Sequence, residues 1–276
     1  MKRWLVPVVL LCVLAACRGE APGPQGTVAP DADQADPAEA PAPEPVVLED
    51  VVETDPRYII GISWAKGVDR YPGLSVLLKQ YADAAKAEVL QAVEAMEPEA
   101  GAMYDLALEF QVLADTPQVF AVAADGGSYT GGAHGAPLIA RFVWLPQEQR
   151  LLTADELVPR QEAWREVSSY VREQLHAALS QRVDADELDP DERGRVMRSA
   201  GRMIEEGTAP DPENFAQFEP VPGADGRLVA LRFVFPPYQV GPYSDGVQTV
   251  EVPARVLLPH VAPAYRPLFA DAQPAQ

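Results

Sequence analysis

At 276 residues, 47% of them apolar, the chain can form one large domain or two small ones and needs no covalent staples to hold a core. Its 22 basic side chains against 41 acidic ones leave a formal charge of -19, which argues against nucleic acid as a partner and favours a basic one, because phosphate binding runs on Lys and Arg. Both cysteines, Cys12 and Cys17, fall within the first seventeen residues, so the body offers no disulfide, thiolate metal site or cysteine nucleophile.

The N-terminus reads as an address. Lys2 and Arg3 precede an apolar run over residues 4–13, shorter than the ~20 residues of a spanning helix. Leu14-Ala15-Ala16-Cys17 then matches a bacterial lipoprotein box, in which small residues fit the signal peptidase and the thiol accepts a diacylglyceryl group. A signal peptide over 1–16 and lipid attachment at Cys17 are expected, with acyl chains such as palmitate anchoring the chain by ~0.8 kcal/mol per buried CH₂. An ordinary secretory signal with a chance cysteine is the competing reading. Arg18 at the next position resembles an outer-membrane sorting outcome, facing the periplasm. Residues 18–45 hold seven prolines and six acidic residues, too little apolar surface to offset ordering, so 17–45 is expected to be a disordered tether and 271–276 a tail.

In the body, residues 57–64 read as a strand. Leu74, Leu77, Leu78, Tyr81, Ala84, Ala85, Val89, Val93 and Met96 carry helical spacing that ends near Pro98. Strict alternation over 104–112 predicts a strand with one buried face, with 118–124 as its hairpin partner after the Asp115-Thr116-Pro117 turn. A Gly-rich loop over 125–135 precedes a strand at 138–145 and a short extension at Leu151-Leu152. Helices are predicted over 161–183 and, with Asp189-Pro190 as N-cap and first position, through Ile204. Strands follow at 215–219, 228–235 and 247–252, with a last helical turn at 253–258. The class is α+β, antiparallel hairpins with inserted long helices, in an N-terminal part over 46–136 and a C-terminal part over 137–270.

Recognisable catalytic chemistry is sparse. His134, His176 and His260 lie far apart with no paired-ligand spacing, so neither a metal nor a cofactor is expected, and His176 reads as a surface residue. Gly126-Gly127-Ser128-Tyr129-Thr130 falls one glycine short of a nucleophile elbow and is not followed by a predicted helix. A carboxylate pair such as Asp125 with Asp245 carries no specificity among 41 acidic residues. Two loops stand out. Residues 125–135 pack five glycines around Tyr129 and His134, and 236–246 alternate prolines with Tyr238 and Tyr243. Each reads either as an elaborate turn or as a recognition surface, tyrosines giving large contact area at low entropic cost. As hairpin connections, both tips are expected at the same end of a sheet.

The segments Tyr129-Thr130-Gly131-Gly132-Ala133-His134-Gly135, Asn214-Phe215 and Phe235-Pro236-Pro237-Tyr238-Gln239-Val240-Gly241-Pro242-Tyr243-Ser244-Asp245-Gly246, closed by Val250-Glu251-Val252-Pro253, together resemble domain-of-unknown-function family 3298. A companion, family 4163, is suggested over residues 51–136. Relatives of this kind include the outer domain of lysozyme-sensing anti-sigma factors and the non-catalytic half of a peptidoglycan deacetylase. The catalytic half of the latter, with its metal-binding Asp and spaced histidines, has no counterpart here. The resemblance therefore implies a non-catalytic envelope lipoprotein that binds a basic muramidase or cell-wall glycan. Tyr129, Thr130, Gly131, Gly132, His134, Tyr238, Tyr243 and Asp245 are its candidate contacts. A hydrolase acting on cell-wall material, or a structural or assembly lipoprotein, is the alternative.

Overall fold

The computed structural model describes residues 46–95, 103–186 and 188–270. The expected signal peptide, Cys17, the tether over 17–45, Met96 and Pro98 at the end of the first helix, and the tail at 271–276 lie outside these residues.

Among the described residues nine strands form two sheets, with helices against both. Strand β1 (Val51–Asp55) turns into β2 (Tyr58–Ser63), after which helix α1 (Pro72–Glu94) crosses over to β3 (Tyr104–Asp115). Strands β4 (Phe120–Tyr129), β5 (Ala136–Leu145) and β6 (Arg150–Leu151) complete a six-stranded sheet in simple sequence order. Sequence reading missed β1. It also expected only antiparallel pairing, whereas β2 and β3 run parallel, Ile60 beside Leu106, because the 23-residue helix between them returns the chain to its starting end.

Burial explains these elements. Leu74, Leu78, Ala82, Ala85, Val89 and Val93 recur every three or four residues along α1 and pack on Ile60, Ile62, Leu106, Leu108 and Phe110 of the sheet. Ala82 takes the buried place expected of Ala84, which is exposed. Each fully buried Leu or Val contributes about 1.5–3 kcal/mol. The Gly-rich segment predicted as loop is half strand: Asp125–Tyr129 continue β4, pairing Gly127 with Ala107 and Tyr129 with Asp105. Gly126 faces the Ala107 carbonyl so closely that a Cβ would lie 2.0 Å from its oxygen, so this glycine permits pairing instead of ending it.

The second layer holds α2 (Ala154–Leu157), α3 (Trp164–Ala185), α4 (Pro190–Gly207) and an antiparallel three-stranded sheet, β7 (Phe218–Pro222), β8 (Leu228–Phe235) and β9 (Gln248–Pro253), followed by α5 (Ala254–Leu257). Asp189 caps α4 as expected, its carboxylate accepting the Asp191 and Glu192 N–H groups. The strand predicted over 215–219 starts only at Phe218. Asp211 and Pro212 set up a 3-10 turn over Pro212–Phe215, with the Asp211 carboxylate accepting the Glu213 N–H. That turn drives Phe215 into the core, stacked on Trp164 at 5.1 Å and edge-on to Phe233 at 5.2 Å.

The layers meet over one end of the large sheet. Phe120 through Ala124 of β4 are buried in succession, covered by α1 on one face and by the second layer on the other. Arg141 of β5, 6% exposed, joins the layers through Glu219 of β7 at 2.7 Å and Asp125 at 2.8 Å, while its backbone N–H donates to Gln217. Arg232 reaches Glu219 at 3.2 Å and also pairs with Glu251. Burial pushes the nearby Tyr81 phenol above its ordinary range, Asp125 adding to the rise and Arg141 opposing it.

Candidate functional site

The two loops singled out by sequence meet at their tips. They belong to different sheets, residues 130–135 joining β4 to β5 and 236–247 joining β8 to β9, so they are not neighbours at one end of a single sheet as expected. Their contact is direct. His134 Nε2 and Tyr238 Oη are 2.8 Å apart, and the His134 ring stacks on Tyr243 with centroids 4.1 Å apart and planes 20° from parallel. Tyr238 and Tyr243 lie 5.7 Å apart at 40°. His134 Nδ1 is 3.0 Å from the Gly135 carbonyl. A neutral ring therefore donates from Nδ1, and Nε2 accepts the tyrosine proton. Both tyrosines remain outward, 54% and 36% exposed.

The second loop is fastened from below. The Gln239 amide donates at 2.9 Å to the carbonyls of both Gly207, at the end of α4, and Asn214. Val240 is fully buried, and Gly207 approaches so closely that a Cβ there would lie 1.9 Å from the Gln239 carbonyl oxygen. These anchors hold Tyr238 at φ 74°, a left-handed conformation unfavourable for a bulky residue. Asp245, a candidate contact from the sequence, turns inward at 14% exposure and binds Arg182 of α3 at 2.7 Å. It holds the loop and is not presented to a ligand.

The first loop has lighter fittings. Gly131 and Gly132 take φ of 101° and 94°, and the Tyr129 hydroxyl donates to the Gly132 carbonyl at 3.1 Å. The Tyr129 ring turns to Tyr104, edge-on at 6.5 Å, and does not join the His134 stack, though it shares a groove of about 390 Å³ with Tyr243. Thr130 is exposed where the loop leaves β4.

The other candidates take no part in the ring contacts of this cluster. Ser128 is buried in β4 and followed by loop. Asp125 and Asp245 are each engaged by an arginine. His176, half-exposed, lies 3.5 Å from Glu205, and buried His260 pairs through Nε2 with Glu166 at 3.1 Å. Among the described residues no group of three or more His, Cys, Asp or Glu could hold a metal ion, and no helix is long and apolar enough to cross a membrane. Sequence reading missed Gln239 and Arg182, which position the second loop, and Asp105, which lines the groove beside Tyr129. Only the outward place of Asp105 in the alternating β3 pattern hinted at that position.

With this geometry in view, residues 155–255 match the family described as "Protein of unknown function (DUF3298)", a span that runs from α2 into α5 and contains the second loop. The first loop lies outside it. The fold is similar to that of a DUF3298 family protein from Pseudomonas aeruginosa PAO1, with a TM-score of 0.51 and 16% identity over 80% of this chain and 95% of that one. A DUF3298 family member from Bacteroides fragilis NCTC 9343 aligns with a TM-score of 0.40 and 18% identity over 69% and 67%. No curated protein matches the chain.

Proposed function

We propose that this chain is a non-catalytic binding module of the bacterial cell envelope, held to the membrane by lipid on Cys17. Its His134, Tyr238 and Tyr243 cluster would recognise a basic muramidase or cell-wall glycan. The observation that carries this reading is the construction of the cluster: two loops from separate sheets bring three rings to the surface, and one of them sits in a backbone region that costs on the order of 1–3 kcal/mol. Packing gains little from exposed rings at such a cost, whereas recognition gains rigid contact area that loses little side-chain freedom on binding. The chemistry also favours binding over turnover. The imidazole has both nitrogens engaged, Nδ1 with the Gly135 carbonyl and Nε2 with the Tyr238 hydroxyl, so neither is free to serve as a general base.

Binding of lysozyme and of chitooligosaccharide to the full chain in detergent tests this reading, beside a Tyr238→Ala, Tyr243→Ala variant whose unfolding curve shows an intact fold. Loss of binding in the folded variant, without turnover by the parent, is expected. Unchanged binding would reduce the cluster to a turn, and turnover would favour the hydrolase. Metabolic labelling with palmitate, lost in Cys17→Ser, tests the anchor.

A further inference from the structure

The large sheet has one face that is only half covered. At one end the second layer buries Ala121, Ala123, Val143 and Leu145. At the other end the same face is bare: Val52 is 83% exposed and Ile59 42%, and Ser63, Asp105, Ala107 and Glu109 are also exposed. Two shallow grooves of about 480 and 390 Å³ share Ala107 and Gly126, so the surface runs unbroken from β1 to Tyr129 and Tyr243.

Three properties of this bare half point to a partner. First, its charge is of one sign. Asp50, Asp105, Glu109 and Asp125 line the grooves with no Lys or Arg among the lining residues. Asp125 is paired with Arg141, but neither Asp105 nor Glu109 has an ion-pair partner among the described residues. Second, the floor is lower than the fold requires. A Cβ on Gly61 would come no nearer than 4.0 Å to any neighbour and one on Gly127 no nearer than 3.4 Å, yet both strand positions are glycine, which weakens a strand. A strand glycine with room for a side chain suits close approach by another molecule. Third, the aromatic cluster walls one end and Val52 with Ile59 the other, the mixture of apolar anchors and polar groups found at protein interfaces.

Charge decides among occupants. Residues 18–45 of this chain carry six acidic residues and one basic one, and a second copy would bring the same carboxylates. Both oppose the face. We infer that the bare half-face is a docking floor for a folded basic protein, whose Lys or Arg side chains lie across Gly61, Ala107 and Gly127 to reach Asp105 and Glu109. From β1 to β4 the floor is about 14 Å wide at strand spacing, enough for two or three such side chains at the centre of a larger footprint. The inference rests on the proposed binding role and deepens it by naming a protein over a glycan and adding Asp105 and Glu109 to the site.

The test compares lysozyme, cytochrome c as a basic protein that is not a muramidase, and chitooligosaccharide as the glycan, each titrated against the full chain at low and high salt. Asp105→Asn with Glu109→Gln should weaken lysozyme binding about tenfold and flatten its salt dependence. Gly61→Val should leave the unfolding midpoint unchanged or raised and still weaken binding. If both variants bind lysozyme like wild type, the docking floor is overturned, and the cluster keeps its role if the tyrosine variant alone loses binding. Binding of chitooligosaccharide but of neither basic protein also overturns it, as does binding of cytochrome c and lysozyme alike that survives both variants, whereas cytochrome c binding that both variants weaken supports the floor with a partner other than a muramidase.

Discussion

The two loops that meet at His134 are held in opposite ways. Residues 236–247 are tied down at three points: Gln239 to two carbonyls, Val240 in the core, and Asp245 to Arg182. Residues 130–135 have two glycines at positive φ, one tyrosine hydroxyl on their own backbone, and an exposed His134 whose rigid neighbours belong to the other loop. The difference teaches that the site is organised from the second loop. Tyr238 and Tyr243 are set by the body of the protein, and His134 comes to rest on them.

Gly207→Ala breaks this arrangement most severely. The new Cβ cannot coexist with the Gln239 carbonyl 1.9 Å away, so the loop seat shifts and stability falls by on the order of 3 kcal/mol, read from urea unfolding, with loss of the near-ultraviolet signal of the tyrosine cluster. Gln239→Ala comes next. It leaves the Gly207 and Asn214 carbonyls short of a donor, a loss of about 1–2 kcal/mol by the same measurement. Gly132→Ala probes the other loop: nothing lies within 4 Å of the new methyl, so only the cost of a left-handed alanine, about 1 kcal/mol, should appear, and Tyr238 and Tyr243 should keep their spectrum. A Gly132→Ala loss as large as that of Gly207→Ala would contradict the comparison. The smallest effect sharpens it. Tyr238→Gly relieves the strain at φ 74° while losing the His134 contact, so stability should move by less than about 1 kcal/mol in either direction while ligand binding disappears.

Much of the scaffold was legible because burial writes a period into the chain. The 3.6-residue stripe of α1 and the alternation of Leu106, Leu108 and Phe110 can each be read without knowing any partner. What failed depended on partners. Asp125–Tyr129 looks like loop because glycine punctuates sequences, and it is strand only because β3 lies alongside. β1 is short and exposed on alternate residues, and its identity comes from pairing with β2. At the site, His134, Tyr238 and Tyr243 were visible as unusual residues in unusual loops. Their meeting across two sheets was not, because it depends on Gln239 reaching back to the end of α4.

The parallel joint between β2 and β3 orders the assembly of the large sheet in time. Strands β3, β4 and β5 form a meander whose pairings close over short turns, whereas β2 can reach β3 only after the span containing α1 has been brought round. Local hairpins form in microseconds and distant pairings later. The β1–β2 hairpin should therefore be the last part of that sheet to gain protection from amide hydrogen exchange during refolding. The bare half-face, whose floor needs Gly61 beside Ala107, comes into being only at that final step.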